Sequence, residues 1–287
     1  MQFVIIKNNR GDGFNNYPLV LRNRRREVDL FINLLTYFLI YSFLGWFLES
    51  VYKSICEKKI INSGFLYGPF CPIYGCGAII MYIFLDDVKS KPIITFCLGF
   101  VVLSIWEYIV GVFLEKVFHR KYWDYSEKKL NLQGRVCLLN SIFWGILGVL
   151  FIDVIHPFVT EQLSNVDATI ILYSDICIAA IMIIDAIVNI FRNFSIAIEL
   201  KRVEELSNNI KEKLEEIKQK GKGIEKPLQY TIDELNEKRA KIIRKSYKTI
   251  LRLKRAFPSL KSEEFTKFLN ERKDFAKRPW IYVNIHV

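Results

Sequence analysis

Long stretches without a charged residue constrain the fold of this chain more than any other feature. Four of them run from Leu30 to Leu48, Ile60 to Leu85, Pro92 to Trp106 and Val136 to Ile152. A fifth, from Ala168 to Phe191, is interrupted only by two aspartates. Crossing a bilayer as a helix takes about 20 mostly apolar residues, and none of the runs shows the alternation that barrel strands need. The chain is therefore predicted to be all-α, a polytopic membrane helix bundle with about five spans.

The charge distribution predicts three parts. Residues 1–194 carry 18 basic and 16 acidic residues, whereas residues 195–287 carry 23 and 14. We expect a polar N-terminal extension over 1–29, a transmembrane domain over 30–192 and a basic helical tail over 193–287. The expected spans are about 30–51, 64–85, 92–114, 136–158 and 169–191.

Part of the transmembrane domain repeats. Residues 45–52 (GWFLESVY) and 111–118 (GVFLEKVF) are identical at five of eight positions. Each stretch is followed by a basic loop, then by a glycine, Gly64 or Gly134, and ten residues later by an aromatic residue and a glycine. This order predicts a duplicated two-span unit whose two copies have the same orientation.

Basic residues in the loops predict the orientation. If every span crosses, twelve Lys and Arg lie on one side of the membrane and six on the other. Cytoplasmic loops carry the excess of basic residues, so we expect the tail in the cytoplasm and the N-terminus outside. The basic cluster Arg22–Arg26 would then lie outside, against this rule. A re-entrant second segment would instead put both ends inside, which the repeat argues against.

The segment from Gly64 to Gly77 is unusual because it combines two prolines with four glycines at the entrance of a span. Such residues free backbone groups, which are tolerated in a membrane only where protein or a water-filled cavity satisfies them. One interpretation is a discontinuous helix that lines a substrate path. The other is tight helix packing by small residues, with a proline at the helix start.

Three glutamates lie in or beside the apolar runs. Glu49 and Glu115 occupy equivalent places in the repeat, near the basic side, where each can pair with a basic residue such as Arg135. Glu107 is deeper, and an acidic group at membrane depth normally faces the bundle interior with a partner. A role of Glu107 in proton or cation coupling and a structural role both remain open.

Two aspartates interrupt the last apolar run. Asp175 and Asp185 either form a polar track across the membrane or dock this helix on the bundle through hydrogen bonds. In the longest loop, residues 122–126 (YWDYS), which include Asp124, combine aromatic side chains with flanking basic residues. This composition is typical of an interfacial anchor, and the alternative is a docking surface for a cytoplasmic partner.

The tail shows a seven-residue pattern. Val203, Ile210 and Ile217 are seven apart, as are Leu200, Ser207 and Leu214, which predicts a short coiled-coil seam. Residues 221–227 break it, and a second helix is expected from about Leu228 to Ala256. The basic surface of this helical tail favours contact with anionic lipid over nucleic-acid binding, and we expect no specific nucleic-acid partner.

The sequence contains no recognisable motif for metal binding, disulfide formation or nucleophilic catalysis. The six cysteines never pair as CxxC, which argues against a zinc site and against a disulfide framework. His119 and His156 are isolated, and there is no nucleophile motif. We expect no metal, no cofactor and no enzymatic activity.

Several motifs resemble a known family. They are residues 43–46 (FLGW) with Glu49, 64–69 (GFLYGP), 71–75 (CPIYG), 106–108 (WEY), 123–126 (WDYS), 134–138 (GRVCL) and 144–145 (WG). Together they look like the bacterial family named putative ABC-transporter type IV permease, a CmpB-like domain of unknown function related to animal transmembrane protein 229. The resemblance covers roughly residues 30–158. It implies a bacterial integral membrane protein, multi-pass in the cell membrane.

The function expected from this resemblance is that of a membrane transport component. No Walker motif occurs in the sequence, so ATP-driven work would need a separate nucleotide-binding subunit. A homo-oligomer is the other expected assembly. The alternative function is a non-transporting scaffold or sensor that acts through its coiled-coil tail. The candidate pathway and binding residues are Glu49, Tyr67, Gly68, Pro69, Cys71, Pro72, Tyr74, Gly75, Glu107, Glu115, Asp124, Arg135, Asp175 and Asp185.

Overall fold

The structure is a computed structural model that describes residues 19–220 and 225–260. The helices are α1 Leu19–Glu57, α2 Pro72–Leu85, α3 Pro92–Phe118, α4 Leu138–Leu150, α5 His156–Ser164, α6 Ala168–Lys220 and α7 Glu225–Ala256, with a short hairpin of β1 Asn131–Leu132 and β2 Val136–Cys137. Most of the predicted N-terminal extension and the last part of the tail, residues 261–287, lie outside the described residues.

Four stretches of helix in the described chain are long and apolar enough to cross a membrane. They are Leu30–Glu57, Pro92–Phe118, Leu138–Ser164 and Ala168–Gln219. Their outward surfaces expose large apolar side chains such as Phe47, Ile105, Phe143 and Ile184. Apolar surface of this extent is stable only against another apolar phase. The prediction of an all-α polytopic membrane bundle is therefore confirmed.

The second predicted span differs from the other four. Helix α2 has only 14 residues, which is about 21 Å of helix and short of the roughly 30 Å hydrocarbon core. Residues 60–71 before it are irregular. The chain nevertheless returns along α1, because Cys71 bonds to Ser42 and the ring of Tyr82 lies 6.1 Å from that of Tyr37. Irregular chain and a short helix replace the expected continuous helix.

Two clusters of buried side chains hold the membrane helices together. One joins α1, α2, α3 and the turn after α4 through residues that include Tyr41, Met81, Leu103 and Phe151. The other joins α1, the irregular segment and α6 through Leu39, Leu66 and Met182. The irregular segment therefore packs as part of the core.

Helices α3 and α4 form the second antiparallel pair. A Cβ added at Gly99 would lie 3.4 Å from the Cα of Gly148, so the two backbones approach closely. Between α4 and α5, residues Phe151–Ile155 wind as a π-helical turn. Such a turn takes in an extra residue without ending the helix, so α4, the turn and α5 together make one span.

By its internal contacts the chain divides into two units, and the smaller comprises residues 115–122 and 190–287. In its described part, α7 runs antiparallel to the second half of α6, because Lys245 pairs with Glu199 at 2.7 Å and Arg239 bonds to Ser207 at 3.1 Å. The predicted end of the second helix at Ala256 agrees with α7, which begins at Glu225, three residues before the predicted start. The predicted break falls partly on residues 221–224, which lie outside the described residues. The coiled coil itself stays a prediction.

Candidate functional site

The irregular segment, residues 60–71, contains one position that suits only glycine well. Gly64 has φ +90°, a left-handed conformation that side chains with a Cβ rarely adopt. The segment ends where the backbone N–H of Cys71 donates to the carbonyl of Ser42, at 2.9 Å. Pro72 then occupies the first turn of α2, where its missing N–H costs nothing. A proline at the helix start was expected for this position.

An aspartate of α6 holds the middle of this segment. The N–H of Gly68 donates to Oδ2 of Asp185 at 2.8 Å, and Asn189 donates to Oδ1 at 2.7 Å. Beside this contact Leu66 is 1% exposed. The carboxylate thus satisfies backbone that no regular element satisfies. Docking is the role that this geometry supports for Asp185.

The other named residues of the segment have separate surroundings. The carbonyl of Tyr67 accepts a bond from Asn62 at 2.7 Å, and Pro69 is exposed. A Cβ at Gly75 would lie 2.2 Å from Oγ of Ser42 and 2.5 Å from the carbonyl oxygen of Phe38. Gly75 therefore lets α2 approach the backbone of α1, which supports the helix-packing interpretation at this position.

Glu107 lies at a buried polar centre of the bundle. It is 5% exposed. Trp144 Nε1 donates to one carboxyl oxygen at 2.9 Å, and Asn140 and the hydroxyl of Tyr125 each donate to the other at 3.2 Å. Asn140 also donates to the Tyr125 hydroxyl at 2.6 Å. We call Glu107 and these three residues the carboxyl centre. None of the three donors carries a charge.

The loop before α4 delivers Tyr125 to this centre. The N–H of Tyr125 donates to the carbonyl of Gly134 at 2.8 Å, and Trp123 Nε1 donates to the carbonyl of Arg135 at 2.9 Å. Asp124 accepts from the backbone and hydroxyl of Ser126 at 3.1 and 2.5 Å. The sequence predicted an interfacial anchor or a docking surface here, and it missed this inward role of the tyrosine.

Tyr125 remains a hydrogen-bond donor at physiological pH. Burial raises the pKa of its phenol above the ordinary value, and the charge of the Glu107 carboxyl raises that pKa further. A neutral hydroxyl beside a carboxylate can donate, whereas a phenolate would repel it. The loop therefore supplies a lasting neutral partner to Glu107.

Glu49 has a different kind of partner. It pairs with Lys53 at 2.6 Å, and the thiol of Cys71 lies 3.7 Å from its other oxygen. The pairing with a basic residue is the structural role that the sequence allowed for Glu49. The ring of Tyr74, at the start of α2, lies 6.1 Å from that of Trp144, which donates a hydrogen bond to Glu107.

The remaining candidate residues are not part of the carboxyl centre. Asp175 accepts a bond of 2.6 Å from the hydroxyl of Thr36 in α1, which is again a docking contact. Arg135 lies over the ring of Tyr108 at 5.6 Å and bonds to a neighbouring glutamine. Glu115 is half-buried near the end of α3.

Sequence reasoning did not find a second polar cluster. His156 is 8% exposed, and its Nδ1 is 2.8 Å from the hydroxyl of Tyr41, with the rings of Tyr37, Tyr82 and Phe151 around it. Tyr37 and Tyr41 are four residues apart and so lie on one face of α1, a spacing that could have indicated this cluster. In the described chain no three metal-ligating side chains come close enough together to hold a metal ion.

Four long apolar helices with polar centres enclosed between them define the class of this molecule, a polytopic α-helical integral membrane protein. The model of the family described as Putative ABC-transporter type IV matches residues 36–190, more than half of the chain. The protein belongs to this family, as the motifs in its sequence indicated. No match was found among curated proteins or among solved structures.

Proposed function

We propose that this protein is a membrane transport component of the permease type, which relies on a separate nucleotide-binding subunit for ATP-driven work. The observation that carries the proposal is the carboxyl centre. A carboxyl at membrane depth is costly to retain, and a position with only a structural role would be served by a neutral side chain. Glu107 is kept ready for a proton or a cation.

The surroundings of the centre support a path that leads to it. The irregular segment and α2 replace a continuous helix, and the ring of Tyr74 at the start of α2 lies 6.1 Å from that of Trp144, a hydrogen-bond donor to Glu107. Discontinuous helices near buried charges are the usual substrate sites of membrane transporters. A proton or small cation that enters beside α2 would meet the tyrosine first and the Glu107 carboxyl next.

Purification from native membranes tests the proposal. The tagged full chain is cross-linked mildly in intact membranes, isolated, and analysed by mass spectrometry for bound proteins and by assay for ATPase activity. We expect a copurified protein that contains a Walker motif and an ATPase activity that vanadate inhibits. If several cross-linkers capture no such subunit and the isolated chain has no associated ATPase, the transport proposal is wrong.

A matched pair of variants then tests the residue. Glu107→Gln removes the charge and keeps the shape, whereas Glu161→Gln removes the charge of an exposed residue of α5. We expect Glu107→Gln to retain the subunit but to lower the ATPase activity at least about tenfold, a loss of the size seen when a group acting in proton transfer is removed. Glu161→Gln should leave it unchanged. Equal ATPase activities of the two variants would show that the charge of Glu107 is not needed for transport.

A second candidate function is a membrane scaffold or sensor that acts through the tail. It is favoured by α6, which is a single helix from the apolar run into the polar tail, and by the polar outer surface of the tail hairpin. Photo-cross-linking from exposed Lys218 in the tail, compared with exposed Glu161, distinguishes the two. Capture of a partner from the tail alone, without ATPase activity, would favour the scaffold.

A further inference from the structure

Helix α7 carries its positive charge at one end. Residues 240–256 contain seven Lys and Arg and no Asp or Glu, whereas residues 225–239 contain four acidic residues. Packing against α6 does not require this separation, because the buried positions in the basic half include the apolar Ile243, Ile250 and Leu253. Four basic residues of this half, Lys241, Arg244, Lys248 and Arg255, lie outside that seam and are exposed.

The fold returns this basic end to the beginning of the tail. Lys245 pairs with Glu199, and Ser246 bonds to the same carboxylate. Further along, the ring of Phe257 lies 5.0 Å from that of Tyr122, whose hydroxyl donates to Asn193 at 3.2 Å. The end of α7 therefore lies beside the start of the tail, although about 60 residues of chain separate them.

The start of the tail is also the end of the last apolar run. Phe191 closes that run, and Arg192 follows it directly. Residues 190–203 and 240–256 together contain ten basic residues and one acidic residue, Glu199. That glutamate is already engaged by Lys245 at 2.7 Å. A strong positive charge thus gathers where the chain leaves the apolar phase.

We propose that this charge forms a binding surface for the phosphates of anionic phospholipid headgroups. The surface, here called the basic face, consists of the exposed residues Arg192, Arg202, Lys241, Arg244, Lys248 and Arg255. Basic residues beside a membrane are attracted to anionic headgroups within roughly a Debye length of the surface. The fold-back places the basic half of α7 alongside the first residues of the tail in α6.

A membrane is favoured over a nucleic acid as the occupant of the basic face. The headgroups are present wherever the last apolar run is inserted, and the face begins at the residue after that run. A nucleic acid would have to be recruited to the same surface from solution.

Lipid binding by the full chain tests the proposal. The purified protein in detergent is incubated with equal amounts of phosphatidylglycerol and phosphatidylcholine, and native mass spectrometry counts each bound lipid. The test variant changes Lys241, Arg244 and Lys248 to glutamine. The control variant changes Lys211, Lys218 and Lys238, three exposed lysines that lie farther along the hairpin from the start of the tail, so both variants lose the same charge.

The expected result is that wild type and control prefer phosphatidylglycerol and that the test variant loses at least about fivefold of this preference, since one basic residue near an anionic surface contributes roughly that factor. A charge-preserving variant, Lys241→Arg with Lys248→Arg, should behave like wild type. Half-molar salt should weaken the wild-type preference by screening, a readout that does not depend on the folding of any variant.

Three outcomes would overturn the proposal. One is a wild-type protein without any preference for the anionic lipid, and another is an equal loss in the test and control variants. The third uses a fluorescent 20-nucleotide RNA and the chain in phosphatidylglycerol nanodiscs. RNA binding that persists in these discs and disappears in the test variant would assign the basic face to nucleic acid instead.

Discussion

The two helix pairs of the bundle, α1 with α2 and α3 with α4, are similar in sequence but differ in their polar chemistry. Each is connected through a glycine with positive φ, +90° at Gly64 and +72° at Gly134. In the first pair the connection is irregular chain docked on Asp185, and Glu49 has a lysine partner. In the second pair it is a β-hairpin loop that aims Tyr125 at Glu107. Two helix pairs with similar sequences can therefore surround their buried acidic residues with different partners.

The largest expected effect concerns the orientation of the two pairs. In a background with the native cysteines replaced, Glu57→Cys and Glu127→Cys introduce exposed thiols into the two connections, and Glu161→Cys introduces one at the other end of the bundle. An impermeant reagent added to intact cells should label Glu161→Cys and spare the other two. Labelling of only one of the two connections would disprove a duplication with common orientation.

Helix packing predicts the next largest effect. Gly75→Ala would place a methyl group 2.5 Å from a backbone oxygen of α1, whereas the methyl of Gly77→Ala would meet Trp106 at 3.7 Å, an ordinary contact. We expect Gly75→Ala to lower the free energy of unfolding by about 1–3 kcal/mol, the usual cost of overpacking. Gly77→Ala should be neutral or slightly stabilising. Equal melting temperatures for the two variants would contradict the close approach of α2 to α1.

The two glycines with positive φ sharpen the comparison between the connections. Gly134→Ala brings a methyl group within 2.3 Å of Oδ1 of Asp124, while the same change at Gly64 meets only a sulfur at 3.3 Å. Both variants carry the left-handed strain of about 1–2 kcal/mol. The second connection should lose more stability, as measured by thermal unfolding. A greater loss of stability for Gly64→Ala than for Gly134→Ala would contradict the expectation that the second connection is the more tightly packed of the two.

The smallest expected effect is that of Tyr125→Phe. Removing the hydroxyl deletes one of three bonds to the Glu107 carboxyl, so stability should fall by about 1 kcal/mol. Tyr173→Phe, on the exposed side of α6, is the control and should change nothing. If the melting temperatures of both variants equal that of wild type, the loop does not support the carboxyl centre.

The four long apolar helices were predictable because the length of an apolar run reflects the thickness of the bilayer. The break in the second pass was also indicated, since Pro72 and the glycines before it free backbone groups. What could not be predicted was the partner of each acid. Tyr125 and Trp144 reach Glu107 from residues 18 and 37 positions away, and loop geometry and helix rotation decide such contacts. The aspartates were expected to dock, among other roles, but Thr36 and Gly68 carried no signal as their partners.

The π-helical turn Phe151–Ile155 determines the direction in which the later side chains of this span point around the helix axis. An α-helix turns about 100° per residue, so one additional residue re-aims every later side chain. His156 reaches Tyr41 at 2.8 Å, and Thr160 reaches Tyr37 at 3.3 Å. Deleting the exposed Val154 would restore regular winding and swing both side chains about 100° away from α1. The aromatic end of the bundle therefore depends on how many residues precede it as much as on which ones they are.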